Sequence, residues 1–411
     1  MAEHNVNRAA HTIARCRELA QFSDVAGETT RLFLSAATRD AQVLLLSWMT
    51  RAGLETRTDD AGNLRGVRRA THADAATLLL FSHIDTVPNA GAFDGPLGVL
   101  LALAVIEELG SRSIPFHIEL IAFSEEEGVR FGFPFLSSLA VTKSLTAEHL
   151  STQDADGVSV KQALHAFGLH PERVAETCPL PLGAFAALEV HIEQGPVLEA
   201  EDRALGVVES IVGQSRLVLT FTGRANHAGT TPMALRSDAL AAAAEWITET
   251  ERFALDQVQL VATVGHIEVL PGAGNVIPGI VRATLDVRHP SDEARHAAVD
   301  ELLKKAETAA EHRGVRVSAA LKMQQNAVPM DRGLTAKLAA AAERAGFVAG
   351  TMSSGAGHDA MILASHVPTT MLFLRSPGGL SHHPDEDVRE ADVEAAIATV
   401  LEFVTRLEPP Q

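Results

Sequence analysis

The chain has 411 residues, 46% of them hydrophobic, and a formal net charge of -18. That length exceeds one ordinary core and predicts two domains, and the apolar content excludes a mainly disordered chain. The acidic balance excludes nucleic acid and anionic membrane surfaces as partners, because both demand basic patches. Two cysteines, Cys16 and Cys178, stand far apart; they argue against a disulfide framework and predict a reducing, cytoplasmic setting. The opening MAEHNVNRAAHTIARCRELA lacks the apolar core of a signal peptide. The longest apolar stretch, Pro96 to Ile106, falls short of the ~20 residues that span a bilayer.

In chain order, Ala75–Phe81 reads as a strand, Pro96–Leu109 as a helix closed by Gly110, and His117–Phe123 as a second strand. Leu136 to Pro181 reads as helix and loop without a settled pattern, and Phe185–Val190 is a further strand running into HIEQGP. Continuous apolar strands between helices predict a largely parallel sheet covered on both faces. From Gly213 the texture changes: strand Arg216–Thr222, helix Pro232–Leu255, strands Val261–Leu270 and Gly279–Val287, helix Asp292–Arg313, strand Val315–Leu321. That β-α-β-β-α-β order predicts a small antiparallel, ferredoxin-like domain over 213–325, inserted into an α/β domain made of 1–212 and 326–411. Helix Leu334–Ala345, strand Thr369–Leu374 and helix Val388–Leu407 complete the larger domain.

Ligand-type side chains recur behind the strands of the larger domain, where open α/β sheets form their sites. SHIDTVPNAGAFDG supplies His83, Asp85 and Asp94; FSEEEGVRF supplies Glu126 and Glu127; HIEQGP supplies His191; SPGGLSHHPDE supplies His382 and His383. Each alone reads equally as a structural histidine or a solvated turn, and three adjacent glutamates repel unless a partner relieves them. Taken together, histidines and carboxylates without thiolates suit zinc or manganese. An aspartate such as Asp94 can bridge two ions, and Asp85 can orient His83 from behind. No G-x-S-x-G is present, and neither cysteine has a histidine context, which argues against a covalent nucleophile.

The motifs SHIDTVPNAGAFDGPLGV, FSEEEGVRF, HIEQGPVLE, GRANHAGTTPM, PGAGNVIPG, LDVR, GAGHDA and GLSHHPDE occur in this order. Together they resemble the amidohydrolase branch of the M20 metallopeptidase superfamily, over about Leu19 to Leu407. The resemblance implies two divalent metal ions per subunit, manganese or zinc. It implies His83 and His191 as ligands on different metals, Asp94 as the bridge, Glu127 and His382 as the remaining ligands, and Glu126 as general base. Glu125 is then a solvated bystander, as is His383.

The inserted domain resembles the family's lid and dimerisation domain. In the homodimer so implied, His227 and Asn275 reach the neighbouring subunit's site, with His227 on the oxyanion. Arg288 binds the substrate carboxylate, and Gln194 and His358 make further substrate contacts. The implied reaction is hydrolysis of a terminal ureido C–N bond. The FSDVAGETTRLFLS and AGNLRG runs favour allantoate, with an N-carbamoyl-L-amino acid as the alternative. Arg375 stands where a proline or small residue is common, close to the expected site, and bears on substrate choice.

Overall fold

The structure is a computed structural model and describes residues 7–409. The described residues up to Glu209 and from Met330 onward form one compact unit, and Ser210–Pro329 form another.

The first unit is built on a sheet whose strands run in the order Glu55–Thr58, Leu64–Arg68, His117–Phe123, Thr77–His83, Ala184–Ile192, Thr369–Leu374, Leu205–Ile211, with Ala349–Ser354 also on the last. The four strands from His117–Phe123 to Thr369–Leu374 are mutually parallel. Their flanking partners are antiparallel. The central strands Thr77–His83, His117–Phe123 and Thr369–Leu374 are buried at every residue, as expected of strands covered on both faces. Helix Pro96–Leu109 is apolar all round and buried along nearly its whole length, the mark of a central helix. It packs against Arg8–Leu19 and Glu390–Arg406, so both ends of the described chain close over it.

Several of these elements lie outside the pattern read from sequence: helices Arg8–Leu19 and Ala36–Arg51, the hairpin Glu55–Thr58 with Leu64–Arg68, and strands Leu205–Ile211 and Ala349–Ser354. The segment after Leu136 resolves into short helices Leu136–Val141, Ala147–Ser151, Val160–Phe167 and Val174–Thr177. Phe131, Leu136, Val160, Leu164 and Phe167 join Phe33 and Leu34 there in a satellite core.

The second unit carries an antiparallel sheet in the order Ile267–Leu270, Ile280–His289, Gly213–Thr222, Arg316–Gln325. Helices Ala239–Leu255 and Asp292–Glu311 pack on it and on each other. Trp246 anchors the contact, burying its ring while Nε1–H donates to Leu302 O at 3.0 Å. The first helix starts seven residues later than its alanine pattern suggests. Asp238 is its N-cap, accepting from Leu240 N–H and Ala241 N–H, and Pro232 lies in the loop before it. The expected strand Val261–Leu270 is two pieces, Val261–Thr263 and Ile267–Leu270, both paired with Ile280–His289 and separated by Val264–His266.

Behind strand Thr369–Leu374, Arg375, anticipated to bear on substrate choice, directs its guanidinium to two aspartates. Its Nε and Nη2 donate to Asp392 at 2.9 and 3.0 Å, and Nη1 reaches the exposed Asp202 at 3.0 Å. Arg375 and Asp392 are both buried. Losing the arginine leaves a carboxylate stranded in the core, so Arg375→Ala is expected to destabilise the protein by about 3 kcal/mol or more in denaturant titration. Asp202→Ala, which removes only the exposed partner, is expected to cost less than about 1 kcal/mol.

Candidate metal centre

Parallel pairing sets the carboxyl ends of four strands side by side. His83, the last residue of its strand, stands in register with Phe123, and His191 with Phe373. Each imidazole is held from behind by a carbonyl: His83 Nδ1 lies 3.1 Å from Asp85 O, and His191 Nδ1 lies 2.9 Å from Ile192 O. A carbonyl oxygen only accepts, so both rings carry their hydrogen on Nδ1 and present bare Nε2 lone pairs forward. Those two Nε2 atoms face each other at 3.3 Å, and Asp94 Oδ1 lies 3.5 Å from one and 3.2 Å from the other. Two lone pairs and a carboxylate oxygen converging in a buried space repel unless a cation sits among them.

A second convergence uses the same aspartate. His382 Nε2 lies 3.4 Å from Asp94 Oδ2 and 3.6 Å from Glu127 Oε1. Glu127 Oε1 is buried and has no hydrogen-bond partner. Ligand atoms of His83, Asp94 and His191, of His83, Glu126 and Glu127, and of Asp94, Glu127 and His382 each fall within 4.8 Å of one another. The donor set therefore fits divalent cations of the borderline kind. The resemblance implied His83 and His191 on different metals; here their Nε2 atoms face each other beside Asp94, while His83 also groups with Glu126 and Glu127, and Asp94 with Glu127 and His382. His383 is turned instead toward Asp385, whose N–H it accepts.

The turn behind strand His117–Phe123 is pinned by acceptors. Asp85 takes Glu126 N–H at 3.0 Å and Glu127 N–H at 3.1 Å while remaining 3.4 Å from His83 Nδ1. It thus orients two carboxylates as well as one imidazole. Asn63 Oδ1 takes Ser124 N–H. Glu125, expected to be solvated, is 1% exposed: its two oxygens accept Gly128 N–H at 2.7 Å and Leu136 N–H at 2.8 Å. The alternation of side chains along the turn sends Glu125 inward to tie the following helix, a role that a run of three identical residues does not reveal.

The electrostatics follow from burial. Burial, then Asp94, pushes Glu127 up to about 8. Burial lifts Glu126 well above the usual carboxylate range, with His83 opposing and Glu127 adding to it. Burial works against ionisation of Asp94, yet the imidazoles of His191 and His83 beside it hold it well below that range.

Around these residues, Gln194 Nε2 donates to Asp94 Oδ2 at 2.8 Å and to Ser381 Oγ at 3.1 Å, so it orients the shared aspartate. Its own backbone is left-handed, as is that of His382 (φ 59° and 55°), a conformation that non-glycine residues keep only where the surroundings impose it. Gly95 has φ 80°, and a Cβ there would lie 2.4 Å from the His83 ring; only glycine lets the Asp94 loop pass the imidazole. His358 packs its ring on His191 with centroids 4.5 Å apart, and Nε2 lies 3.0 Å from Ser354 Oγ. Burial holds it well below the usual imidazole range.

His227, Asn275 and Arg288 belong to the second unit. His227 and Asn275 meet on a two-stranded ribbon, where Ala228 N–H donates to Asn275 O at 2.9 Å, and both are exposed. His227 Nδ1 accepts Gly229 N–H at 3.0 Å and Thr230 N–H at 3.2 Å, which leaves the hydrogen on an outward Nε2. Arg288 lies on strand Ile280–His289, with Nε donating to Asp286 at 3.0 Å. Ser381, Ser376 and Asn63, which orient Asp94, Gln194 and the glutamate turn, lie inside the SPGGLSHHPDE and AGNLRG runs, but nothing in their residue type marks these roles.

A mostly parallel α/β sheet with this buried histidine–carboxylate set at its carboxyl end defines a metal-dependent hydrolase. Residues 79–406 match the profile of Peptidase family M20/M25/M40, and the chain belongs to that family. It is 38% identical to allantoate deiminase of Arabidopsis thaliana over 98% of this chain and 83% of that protein. It is 40% identical to N-carbamoyl-L-amino acid amidohydrolase of Geobacillus stearothermophilus over 88% of each. A crystal structure of a hydantoinase/carbamoylase family amidase from Burkholderia multivorans superposes with a TM-score of 0.90 at 34% identity, covering 97% of both chains.

If His83 and His191 serve one cation, His83→Ala and His191→Ala are each expected to lose the same ion, lowering bound manganese by one equivalent in elemental analysis. His382→Ala is expected to lose the other. Combining His83→Ala with His191→Ala should then cost no more metal than either alone, whereas adding His382→Ala should empty the centre.

Proposed function

We propose that this protein is a metal-dependent amidohydrolase that cleaves a terminal ureido C–N bond, with allantoate as substrate. The products are ureidoglycine, ammonia and carbon dioxide. The carrying observation is the shared Asp94: its two oxygens face two separate groups of bare donors, with the Glu126 carboxylate alongside. The reading has two divalent cations per subunit, manganese or zinc, held by His83, Asp94, His191, Glu127 and His382. Cations there supply Lewis acidity and lower the pKa of a water toward neutrality.

Glu126 takes the proton of the attacking water, because its carboxyl is buried and its backbone is fixed by Asp85. The water oxygen adds to the ureido carbonyl, and the oxyanion that develops accepts a hydrogen bond from Nε2–H of His227 of the partner subunit. Glu126 then passes its proton to the departing ureidoglycine nitrogen, and the carbamic acid split off breaks down in solution to ammonia and carbon dioxide. Asn275 and Arg288 bind the rest of the substrate, with the guanidinium on the carboxylate. Gln194 and His358 make further substrate contacts.

The dimer in this reading is supported by the exposure of His227 and Asn275 and by the largely exposed edge strand Arg316–Gln325, a surface open to a second copy. Among the described residues no helix is long and apolar enough to cross a membrane. The unpaired, buried Cys16 and Cys178 suit a reducing cytoplasm.

The substrate assignment is tested by ammonia release from the manganese-loaded enzyme on allantoate and on a panel of N-carbamoyl-L-amino acids. Higher kcat/KM on allantoate is expected. Preference for a carbamoyl amino acid, the activity named for the Geobacillus relative, would replace the substrate and keep the chemistry. Glu126→Gln is expected to keep its metal and lose at least ~10² in kcat. His227→Ala is expected to lose a similar factor. Co-expressing the two inactive variants should restore about a quarter of wild-type activity, since half the dimers are mixed and each mixed dimer has one intact site. No recovery would contradict a site shared between subunits.

A further inference from the structure

Glu386 ends the GLSHHPDE segment four residues after His382, yet it belongs to none of the donor groups. It is 4% exposed. Its Oε1 accepts two consecutive amides, Phe93 N–H at 2.9 Å and Asp94 N–H at 3.0 Å, reaching across 292 residues of sequence. The fit is close: a Cβ on Gly91 would lie 2.4 Å from Glu386 Cβ and 2.6 Å from Oε1, so the Asp94 loop passes Glu386 only with glycine at that point. On its own side, Glu386 N–H donates to His383 O at 3.0 Å and closes the turn that follows His382. Ser381, at the head of the same turn, donates to Asp94 Oδ2 at 2.7 Å. One turn therefore holds Asp94 twice, by its backbone and by its carboxylate, while also carrying His382.

Burying this carboxylate is unfavourable. Among the described residues its Oε2 has no hydrogen-bond partner, and an unmet buried acceptor costs stability. A tie of this kind is retained where the position it fixes matters. We propose that Glu386 is a positioning residue of the metal centre: by pinning the backbone of Asp94 to the turn that carries His382, it sets the separation of the two cation points that share Asp94. The inference rests on the preceding reading that the centre holds two divalent cations. Because Asp94 is common to both, moving it disturbs both ions at once, whereas loss of a terminal ligand disturbs one.

The test is manganese binding by isothermal titration, with the unfolding temperature of the chelator-treated apoprotein as the control on folding. Glu386→Ala is expected to weaken both binding events by about 10–100-fold, the scale for residues that orient ligands, with the apoprotein transition unchanged. Glu386→Gln keeps an oxygen that can accept both amides and is expected to recover most of the affinity. Wild-type affinity in Glu386→Ala, weakening confined to one ion, or a Glu386→Gln as weak as the alanine variant would each overturn the proposal. Should the alanine variant not fold, Glu386→Asp decides: it withdraws the acceptor by one methylene, so weakened binding of both ions supports the role and wild-type binding removes it. A wild-type protein that binds no divalent cation would sink the two-metal reading and this inference together. Wild-type binding of two ions with unaltered variants would remove Glu386 alone.

Discussion

Two imidazole lone pairs pointing at each other across 3.3 Å, with a carboxylate oxygen beside them, form an arrangement that a folded chain holds only against repulsion. Everything near it is built to keep that repulsion in place. Asp85 O and Ile192 O fix the two tautomers from behind. Gln194 and Ser381 hold the far oxygen of Asp94, and Gly95 lets the loop approach the ring. Among the same strand ends lie the buried carboxylates of Asp85, Glu125, Glu126 and Glu189. Burial favours the neutral forms of the three glutamates, and cations beside them would favour the charged ones.

The sheet is what makes the arrangement possible. Parallel strands bring His83, the Glu126–Glu127 turn, His191 and the loop of His382 to one edge of one layer, from segments spread over some three quarters of the chain. Helix Pro96–Leu109, buried all round, fixes the far end of the Asp94 loop in the core. The loop can then be adjusted by short hydrogen bonds without drifting. Rigid elements set the coarse positions and carboxylate-to-amide contacts set the fine ones. The division of labour explains why Asp85 and Glu125 spend their oxygens on backbone N–H groups rather than on metal.

Much of this was legible from residues alone. The strands at His117–Phe123 and Thr369–Leu374 and the helix at Pro96–Leu109 follow directly from continuous apolar runs and a proline–glycine frame. Ligand-type residues just behind them point to the centre. What was hidden depends on three-dimensional approach. Glu125 and Glu126 are chemically identical neighbours, and only the turn geometry sends one to backbone amides and the other to the open side. Arg375 looked close to the site because it is close in sequence, yet side-chain alternation past the strand end delivers it to Asp392 on the terminal helix. The meeting of His83 and His191 depends on the register of two parallel strands, which no local pattern encodes. The antiparallel edge strands were missed because short, half-polar strands such as Glu55–Thr58 carry almost no periodic signal.

The centre itself can be seen directly. Crystals grown with manganese and measured at its absorption edge are expected to show two anomalous peaks per subunit on either side of the Asp94 carboxylate, one between the Nε2 atoms of His83 and His191 and the other against Glu127 and His382. A single peak, or two peaks that divide His83 from His191, would contradict the account.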